Sequence, residues 1–134
     1  MSETLNLLIV EDEALIAMMA EDMIDGCGHR VAAIAPSLSE ARSAVAAGGF
    51  DAALLDVNLN GDSSMEIAVA LKAMGKPFVF TTGYGSAGVD GEHQDVPVLT
   101  KPYAMAELES ALERLAGQVA GTSSITSAID SNRG

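Results

Sequence analysis

Residues able to do chemistry stand where four short apolar runs of the chain end. Glu11-Asp12 follow the first run, Asp56 ends the second, Thr82-Gly83 close the third, and Lys101 follows the last. Crowded carboxylates repel each other, and a hard divalent cation such as Mg²⁺ relieves that repulsion. A carboxylate left partly free can attack phosphorus, while a lysine and a hydroxyl bind phosphoryl oxygens. Together the set predicts phosphoryl transfer to a carboxylate, and Asp56 is the candidate acceptor.

Each of these residues also has an ordinary structural interpretation. Glu11-Asp12 would complement the dipole of a following helix, Asp56 would begin a turn, Thr82 would be a plain strand residue, and Lys101 would be exposed. The chemical interpretation therefore requires that the four run ends meet at one place in the fold.

The elements that must bring them together alternate between strand and helix. Crossovers between parallel strands are right-handed and place helices on both faces of the sheet. We therefore predict an α/β fold, a three-layer, doubly wound (βα)5 sandwich around a five-stranded parallel sheet. Its carboxyl edge would hold the chemistry. The apolar runs that predict the strands are Leu5–Val10, Arg30–Ala35, Asp51–Asp56, Phe78–Thr81 and Val96–Thr100.

The segments between the runs carry the three-four apolar spacing of amphipathic helices. In the first helix, a methionine-rich stripe of Leu15, Met18, Met19 and Met23 is expected to pack in the core rather than to form a partner-binding groove. The segment after Lys101-Pro102 has the most regular three-four spacing of apolar residues and predicts the last helix. The remaining inward positions are predicted to be Leu38, Ala41, Val45, Ile67, Ala68, Leu71, Met105, Leu108, Leu112, Leu115 and Val119.

Two segments depart from this alternation. Four glycines interrupt the stretch from Gly83 to Gly91, so the fourth helix is expected to be weak or disordered. From Gly121 onward Ser, Thr and Gly are frequent, so we predict a folded domain over residues 1–120 and a flexible tail over 121–134.

Composition narrows the classes of function. The formal net charge of −12 argues against nucleic-acid binding, which needs a basic face. Cys27 is the only cysteine, which excludes an internal disulfide and a thiolate metal cluster. The chain has neither a signal-peptide pattern nor an apolar run of membrane-spanning length. We therefore expect a cytoplasmic protein without membrane insertion.

The motifs, taken in order, resemble a known family. Leu8-Ile9-Val10-Glu11-Asp12-Glu13, Asp56 with Asn58 two residues later, Thr82-Gly83 and Lys101-Pro102 look like the receiver domain of two-component response regulators, which has a CheY-like fold. The resemblance spans residues 5–118. It implies the strand order 2-1-3-4-5 for the sheet and a phosphoprotein of phosphorelay signal transduction.

The resemblance also implies a metal site. Asp12 would bind Mg²⁺, with Mn²⁺ as an alternative, and Glu11 would be its acidic neighbour acting through water. The carboxylate of Asp56 and the backbone carbonyl of Asn58 would complete the protein ligands.

The other matching positions would handle the phosphoryl group. Asp56 would be the phosphoacceptor, Lys101 the counter-ion of the phosphoryl group, and Thr82 the switch hydroxyl, with the backbone of Gly83 beside it. The peptide bond between Lys101 and Pro102 is expected to be cis, as is typical of this family.

The chain departs from the family at one switch position. Most receivers carry Tyr or Phe three residues before the lysine, where this chain has Val98. The segment from Pro77 to Tyr84 is similar to the Pro-Phe-x-Phe-Ala-Thr-Gly-Tyr signature of a stand-alone receiver subgroup associated with HWE-type kinases. We hypothesise that Tyr84 takes part in the switch together with Thr82 and Val98. The alternative is that Tyr84 simply packs on the domain.

The function implied is that of a single-domain phosphoacceptor rather than an enzyme. It would take a phosphoryl group from a sensor histidine kinase, possibly of HWE type, or from a histidine phosphotransfer protein, and it would catalyse its own phosphorylation and dephosphorylation. Output would pass through protein contacts of a monomer or weak dimer, since no effector segment remains in the sequence.

Two other classes stay open. Phosphatases that form an aspartyl phosphate usually carry an acid two residues after the nucleophile, where this chain has Asn58, and the chain leaves no room for a substrate cap. A binding module of the same fold that works without phosphorylation would not need Asp12, Asp56, Thr82 and Lys101 together.

Overall fold

A five-stranded parallel sheet forms the centre of the fold. The computed structural model describes residues 4–83, 93 and 95–133, with side chains as far as residue 119. The sheet has the order β2-β1-β3-β6-β7, which is the predicted order of the five long strands. Every neighbouring pair is parallel. These strands are β1 (Asn6–Val10), β2 (Arg30–Ala35), β3 (Ala52–Asp56), β6 (Phe78–Thr82) and β7 (Val98–Thr100).

Helices cover both faces of the sheet, as the alternation predicted. One apolar cluster joins α1 (Ala14–Gly26) and α4 (Met105–Arg133) to Leu7 and Ile9 of β1. The other cluster joins α2 (Leu38–Ala47) and α3 (Met65–Ala73) to the alternate residues of β1, Leu8 and Val10. Successive side chains of a strand point to opposite faces, so the central strands are buried on both sides. The result is the three-layer architecture expected from the sequence.

The first helix buries a different face from the one we predicted. Its buried residues are Ala17, Ala20 and Ile24, which have the same three-four spacing as the methionine stripe. Leu15 and Met18 are instead 70% and 60% exposed. Alanines let the helix lie closer to the sheet than methionines would, and periodicity alone does not tell the two faces apart. Met19 is 44% exposed, whereas Met23 is partly buried against the apolar cluster. The prediction that the stripe packs in the core was therefore wrong for Leu15, Met18 and Met19 and is confirmed only for Met23.

The helices α2 and α3 follow the prediction closely. Ser37 caps α2, because its hydroxyl accepts a hydrogen bond from the backbone N–H of Glu40 at 3.1 Å. Ala41 and Val45 of α2 are buried, and so are the three predicted residues of α3, Ile67, Ala68 and Leu71.

The final helix is longer than predicted. Leu108, Leu112 and Leu115 are buried as expected, but the helix continues to Arg133 rather than giving way to a tail at 121. After Gly121 this stretch holds neither glycine nor proline, and a helix once begun gains a hydrogen bond with each added residue. That residues 121–134 are flexible stays a prediction, and the expected weak fourth helix falls within 84–92, outside the described residues.

A short hairpin follows the third strand. Strands β4 (Asn58–Leu59) and β5 (Asp62–Ser63) pair antiparallel, and Asn60 and Gly61 form the turn between them. Both turn residues have positive φ, 53° and 93°, which suits a two-residue turn of type I′. Glycine tolerates such a backbone without strain.

Among the described residues, none of the helices has the length and apolar character needed to cross a membrane.

Stability should depend on the central strands. Leu54 of β3 is 2% exposed, and we expect Leu54→Ala to lower the free energy of unfolding by about 2–5 kcal/mol, because the cavity is only partly refilled. Urea denaturation measures this. Val69 on α3 is 53% exposed, and Val69→Ala is the matched control, expected to stay within about 0.5 kcal/mol of the parent. Equal losses in the two variants would contradict the layer assignment.

Candidate functional site

The carboxyl ends of four strands converge on one cleft, as the sequence predicted. Residues from the ends of β1, β3, β6 and β7 line it together with the turn after β3. The cleft has a volume of about 330 Å³, and its lining residues are Asp12, Glu13, Asp56, Asn58, Thr82, Gly83 and Lys101. The four run ends thus meet at one place, which is what the chemical interpretation required. The roles assigned to these residues stay predictions.

A buried ion-pair network occupies the floor of the cleft. The Nζ atom of Lys101 donates to Oδ2 of Asp56 at 2.9 Å and lies 3.2 Å from Oε1 of Glu11. The side chains of both carboxylates are 4% exposed, and that of Lys101 is 9% exposed. Charges this far from water are kept only when they are paired. Lys101 therefore holds Asp56 and Glu11 against each other, and Glu11 contacts the lysine directly.

Asp12 brings a third carboxylate to the same place. Ligand oxygens of Glu11, Asp12 and Asp56 all lie within 4.8 Å of one another. Oδ2 of Asp12 accepts a hydrogen bond from the backbone N–H of Asn60 at 2.9 Å, which ties it to the β4–β5 turn. Three carboxylates thus face one ammonium group. An all-oxygen donor set with this excess of negative charge fits a hard divalent cation.

Ser64 secures the backbone that carries Asp56. Its fully buried hydroxyl donates to the backbone carbonyls of Asp56 and of Val57. The backbone N–H of Val57 donates to the carbonyl of Thr81 at 2.9 Å, and that of Asn58 donates to Oδ1 of Asp56 at 3.2 Å. The motifs in the sequence did not single out Ser64. Its role in holding the backbone of Asp56 could not be predicted, because that role depends on where the preceding turn folds back.

Burial controls the ionisation of the acids. Desolvation raises the pKa of Glu11 to about 7, with the Asp56 carboxylate adding to the effect, although the N–H of Glu13 and the Lys101 ammonium oppose it. Desolvation likewise raises the pKa of Asp56, although Lys101 and the N–H of Asn58 oppose it. Burial lowers the pKa of Lys101, but its carboxylate partners outweigh that and leave it raised. The lysine is thus a permanent cation of the cleft.

The remaining predicted residues divide into three groups. Thr82 is 3% exposed and lines the cleft with Gly83. The side-chain oxygen of Asn58 accepts from the N–H of Gly61 at 2.8 Å, so its amide serves the turn, and metal ligation by its carbonyl stays a prediction. The Lys101–Pro102 bond is cis, as predicted.

Val98, a predicted switch position, is not among the described residues that line the cleft. Val98 is half-buried on β7, where it is the cross-strand partner of Phe80, and it packs with the apolar cluster beneath α2 and α3. Tyr84 lies outside the described residues. Thr82 therefore lines the cleft with Asp56, whereas Val98 lies in the apolar cluster beneath α2 and α3.

Among solved structures, the chain is similar to the REC domain of the PhyR response regulator from Erythrobacter litoralis, with 29% identity and a TM-score of 0.74 over 84% of this chain and 89% of that one. The chain is 44% identical to SdrG from Sphingomonas melonis Fr1, with a TM-score of 0.77 over 86% of this chain and 98% of SdrG. It is 43% identical to SdrG from Pseudomonas melonis Fr1 in its BeF3-activated conformation, with a TM-score of 0.71 over 82% of this chain and 95% of that one.

Comparison with curated sequences agrees. The chain is 32% identical over 112 residues to the phyllosphere-induced regulator PhyR of Methylorubrum extorquens, which covers 81% of this chain and 42% of PhyR. The chain thus spans less than half the length of that relative. No protein-family model matches the chain.

Stability should fall as pH rises toward neutrality in the absence of divalent ions. The folded-state pKa of Glu11, about 7, lies above its ordinary value of 4.5. Between these values the folded protein keeps a proton that the unfolded chain releases, so the free energy of unfolding decreases with rising pH and levels off above about pH 7. We expect a loss of more than about 1 kcal/mol between pH 5 and pH 8, measured by urea denaturation in EDTA.

Glu11→Gln removes this titration and should flatten the decline. The exposed Glu109→Gln is the matched control and should keep the parent's slope. A decline in Glu11→Gln as steep as in the parent would show that Glu11 is not its source.

Proposed function

Because the chain belongs to the receiver-domain family of two-component response regulators, we propose that it accepts a phosphoryl group on Asp56 from a phosphorylated histidine. The observation that carries the proposal is the buried contact of 2.9 Å between Lys101 and Asp56, with Glu11 and Asp12 beside it. One carboxylate is thereby presented to the cleft next to a fixed cation. The BeF3-activated conformation of SdrG supports the proposal, since a close relative takes an active form with this compound.

The transfer follows from the groups in the cleft. An oxygen of Asp56 attacks the phosphorus of the phosphoimidazole. The new P–O bond forms as the P–N bond breaks, and the imidazole nitrogen keeps the electron pair and takes a proton. Lys101 lies within reach of a phosphoryl oxygen bound beside Asp56, and the Thr82 hydroxyl lines the same cleft. Positioned donors of this kind supply most of the catalysis in phosphoryl transfer.

The acidic cluster fits the Mg²⁺ that the family uses, with Mn²⁺ as an alternative. Glu11, Asp12 and Asp56 would hold the ion, and the carbonyl of Asn58 would add a ligand. When bound, the ion offsets negative charge on the carboxylates and the phosphoryl oxygens. Within the described residues, the carboxylate of Asp12 accepts a hydrogen bond from the N–H of Asn60, and the ion would offset its charge.

The donor is proposed to be a protein, either a sensor histidine kinase or a histidine phosphotransfer protein. The exposed side chains of Leu15, Met18 and Met19 form an apolar surface on α1. Met19 also lines a small apolar cavity with Pro102, which follows the cleft residue Lys101 in the chain. This surface is therefore continuous with the rim of the cleft and suits a protein that delivers a phosphohistidine. Output is proposed to pass through protein contacts of the same domain, without binding of nucleic acid.

Acetyl phosphate with Mg²⁺ should place a single phosphoryl group on the protein. Intact-mass spectrometry over time would show one adduct that forms and then decays. Asp56→Asn should abolish it, and Lys101→Ala should slow its formation by roughly 100-fold, the usual effect of losing one charge-stabilising donor. Asp25→Asn, at an exposed site on α1, is the control and should leave the adduct unchanged.

The same experiment separates the other classes of protein. Continuous turnover of varied phosphate esters would indicate an aspartyl-phosphate phosphatase, and the absence of any adduct would indicate a binding module that works without phosphorylation. Either result would overturn the proposal.

Magnesium should stabilise the folded protein. A Mg²⁺ concentration of 100 times the dissociation constant would raise the free energy of unfolding by about 2.7 kcal/mol, measured by urea denaturation. Asp12→Asn should lose this response, yet be no less stable than the parent in EDTA, because one of three crowded carboxylates is gone. Asp25→Asn should respond like the parent. A full response in Asp12→Asn would exclude this carboxylate as a ligand.

A further inference from the structure

His93 is a buried residue whose imidazole has no hydrogen-bond partner among the residues that the structure describes. The residue is 2% exposed, and neither Nδ1 nor Nε2 has a partner in the described part of the chain. The other histidine differs: His29 is 8% exposed, and its Nδ1 accepts from the backbone N–H of Leu5 at 3.0 Å. Buried polar groups are normally paired, and leaving one unpaired is unfavourable. His93 is therefore the exception that needs a reason.

An aromatic contact holds the ring in place. The imidazole of His93 stands edge-on to the ring of Phe80, with 6.1 Å between centroids and 74° between planes. The carbonyl of His93 accepts from the N–H of Val96 at 3.1 Å, and the N–H of Phe80 donates to the carbonyl of Pro97 at 2.9 Å. Backbone bonds therefore tie His93 to the entry of β7, whereas the described contact of its side chain is with the ring of Phe80.

Phe80 connects this ring to the cleft. It is fully buried on β6, two residues before Thr82, so the two side chains point to the same face of the sheet. The carbonyl of Thr82 accepts from the N–H of Lys101 at 2.7 Å, which links the ends of β6 and β7 at the cleft. Val98 stands opposite Phe80 and brings no ring of its own. Among the described residues Phe80 thus has two ring neighbours, Phe78 of its own strand at 5.3 Å and His93 from outside the strand.

We propose that His93 is a switch residue of this domain, whose ring rests on Phe80 when Asp56 is unmodified and leaves it when Asp56 carries a phosphoryl group. This inference depends on the proposed function. A phosphoryl group that draws the Thr82 hydroxyl toward it displaces the strand end two residues from Phe80. Release costs little, because both ring nitrogens gain water on leaving an apolar site. Two states close in free energy are what a ligand with unequal affinity can interconvert.

The direct test is the exchange of imidazole C2 protons for deuterium, read by mass spectrometry in the full chain. With Mg²⁺ and beryllofluoride, we expect exchange at His93 to accelerate about tenfold, a factor typical of coupling between two sites. His29, in the same sample, is the internal control and should change by less than about twofold. The Nδ1 atom of His29 already has a hydrogen-bond partner, so beryllofluoride binding is not expected to expose its ring.

Two substitutions should act in opposite directions on beryllofluoride binding. His93→Leu fills the apolar site without polar atoms, so it should hold the unmodified state and weaken binding by about fivefold or more. His93→Ala removes the ring and should bind at least as tightly as the parent. A side chain that merely filled space would not be coupled to Asp56. Its two substitutions would then not change beryllofluoride binding in opposite directions.

The outcomes are distinguishable. If beryllofluoride binds and Asp56 is phosphorylated while exchange at His93 stays slow, the inference falls and the proposed function stands. Equal acceleration at His93 and His29 would indicate general loosening and would also overturn it. Failure of acetyl phosphate to modify Asp56 would overturn the proposed function, and the inference with it.

Discussion

The structure depends on one electrostatic constraint, which is that three carboxylates share a cleft with a single ammonium group. Lys101 satisfies Asp56 and Glu11 at 2.9 Å and 3.2 Å, but it cannot neutralise Asp12 as well. Burial makes the remaining charge unfavourable, as the raised pKa of Glu11 shows. A site with this imbalance is suited to a cation and an anionic group that arrive together. The acids thus lower the stability of the resting protein at the place where it is proposed to react.

The rest of the fold can be understood as support for that cleft. Two apolar layers bury the central strands, so their carboxyl ends cannot move apart easily. Ser64 and the β4–β5 hairpin fix the turn after Asp56, and Asn60 in that turn positions Asp12. Rigid strands with short, well-bonded turns are a general way to hold reactive groups within a few tenths of an ångström.

The domain departs from ordinary packing at two places, an exposed apolar surface on α1 and a buried imidazole beside Phe80. Alanines of α1 face the sheet, which leaves Leu15 and Met18 exposed beside the rim of the cleft. Beside β6, the imidazole of His93 stands edge-on to Phe80 without a hydrogen-bond partner among the described residues, in a place where an apolar side chain would be more stable. Both features reduce stability in the isolated domain. Both are reasonable where a surface must meet a partner or a side chain must move.

The sequence by itself determined the strand order, the three layers and the place where Asp12, Asp56, Thr82 and Lys101 meet. The layers and the meeting of the strand ends rest on apolar runs and on the fixed hand of parallel crossovers. The strand order rests on the resemblance of the motifs to the receiver family. Tertiary structure alone decided which face of α1 is buried, because Ala17, Ala20 and Ile24 share the spacing of the methionine stripe. It also decided the direct pairing of Glu11 with Lys101, the bonds of Ser64, and the burial of His93. Contacts between residues far apart in the chain depend on packing, and no local pattern encodes them.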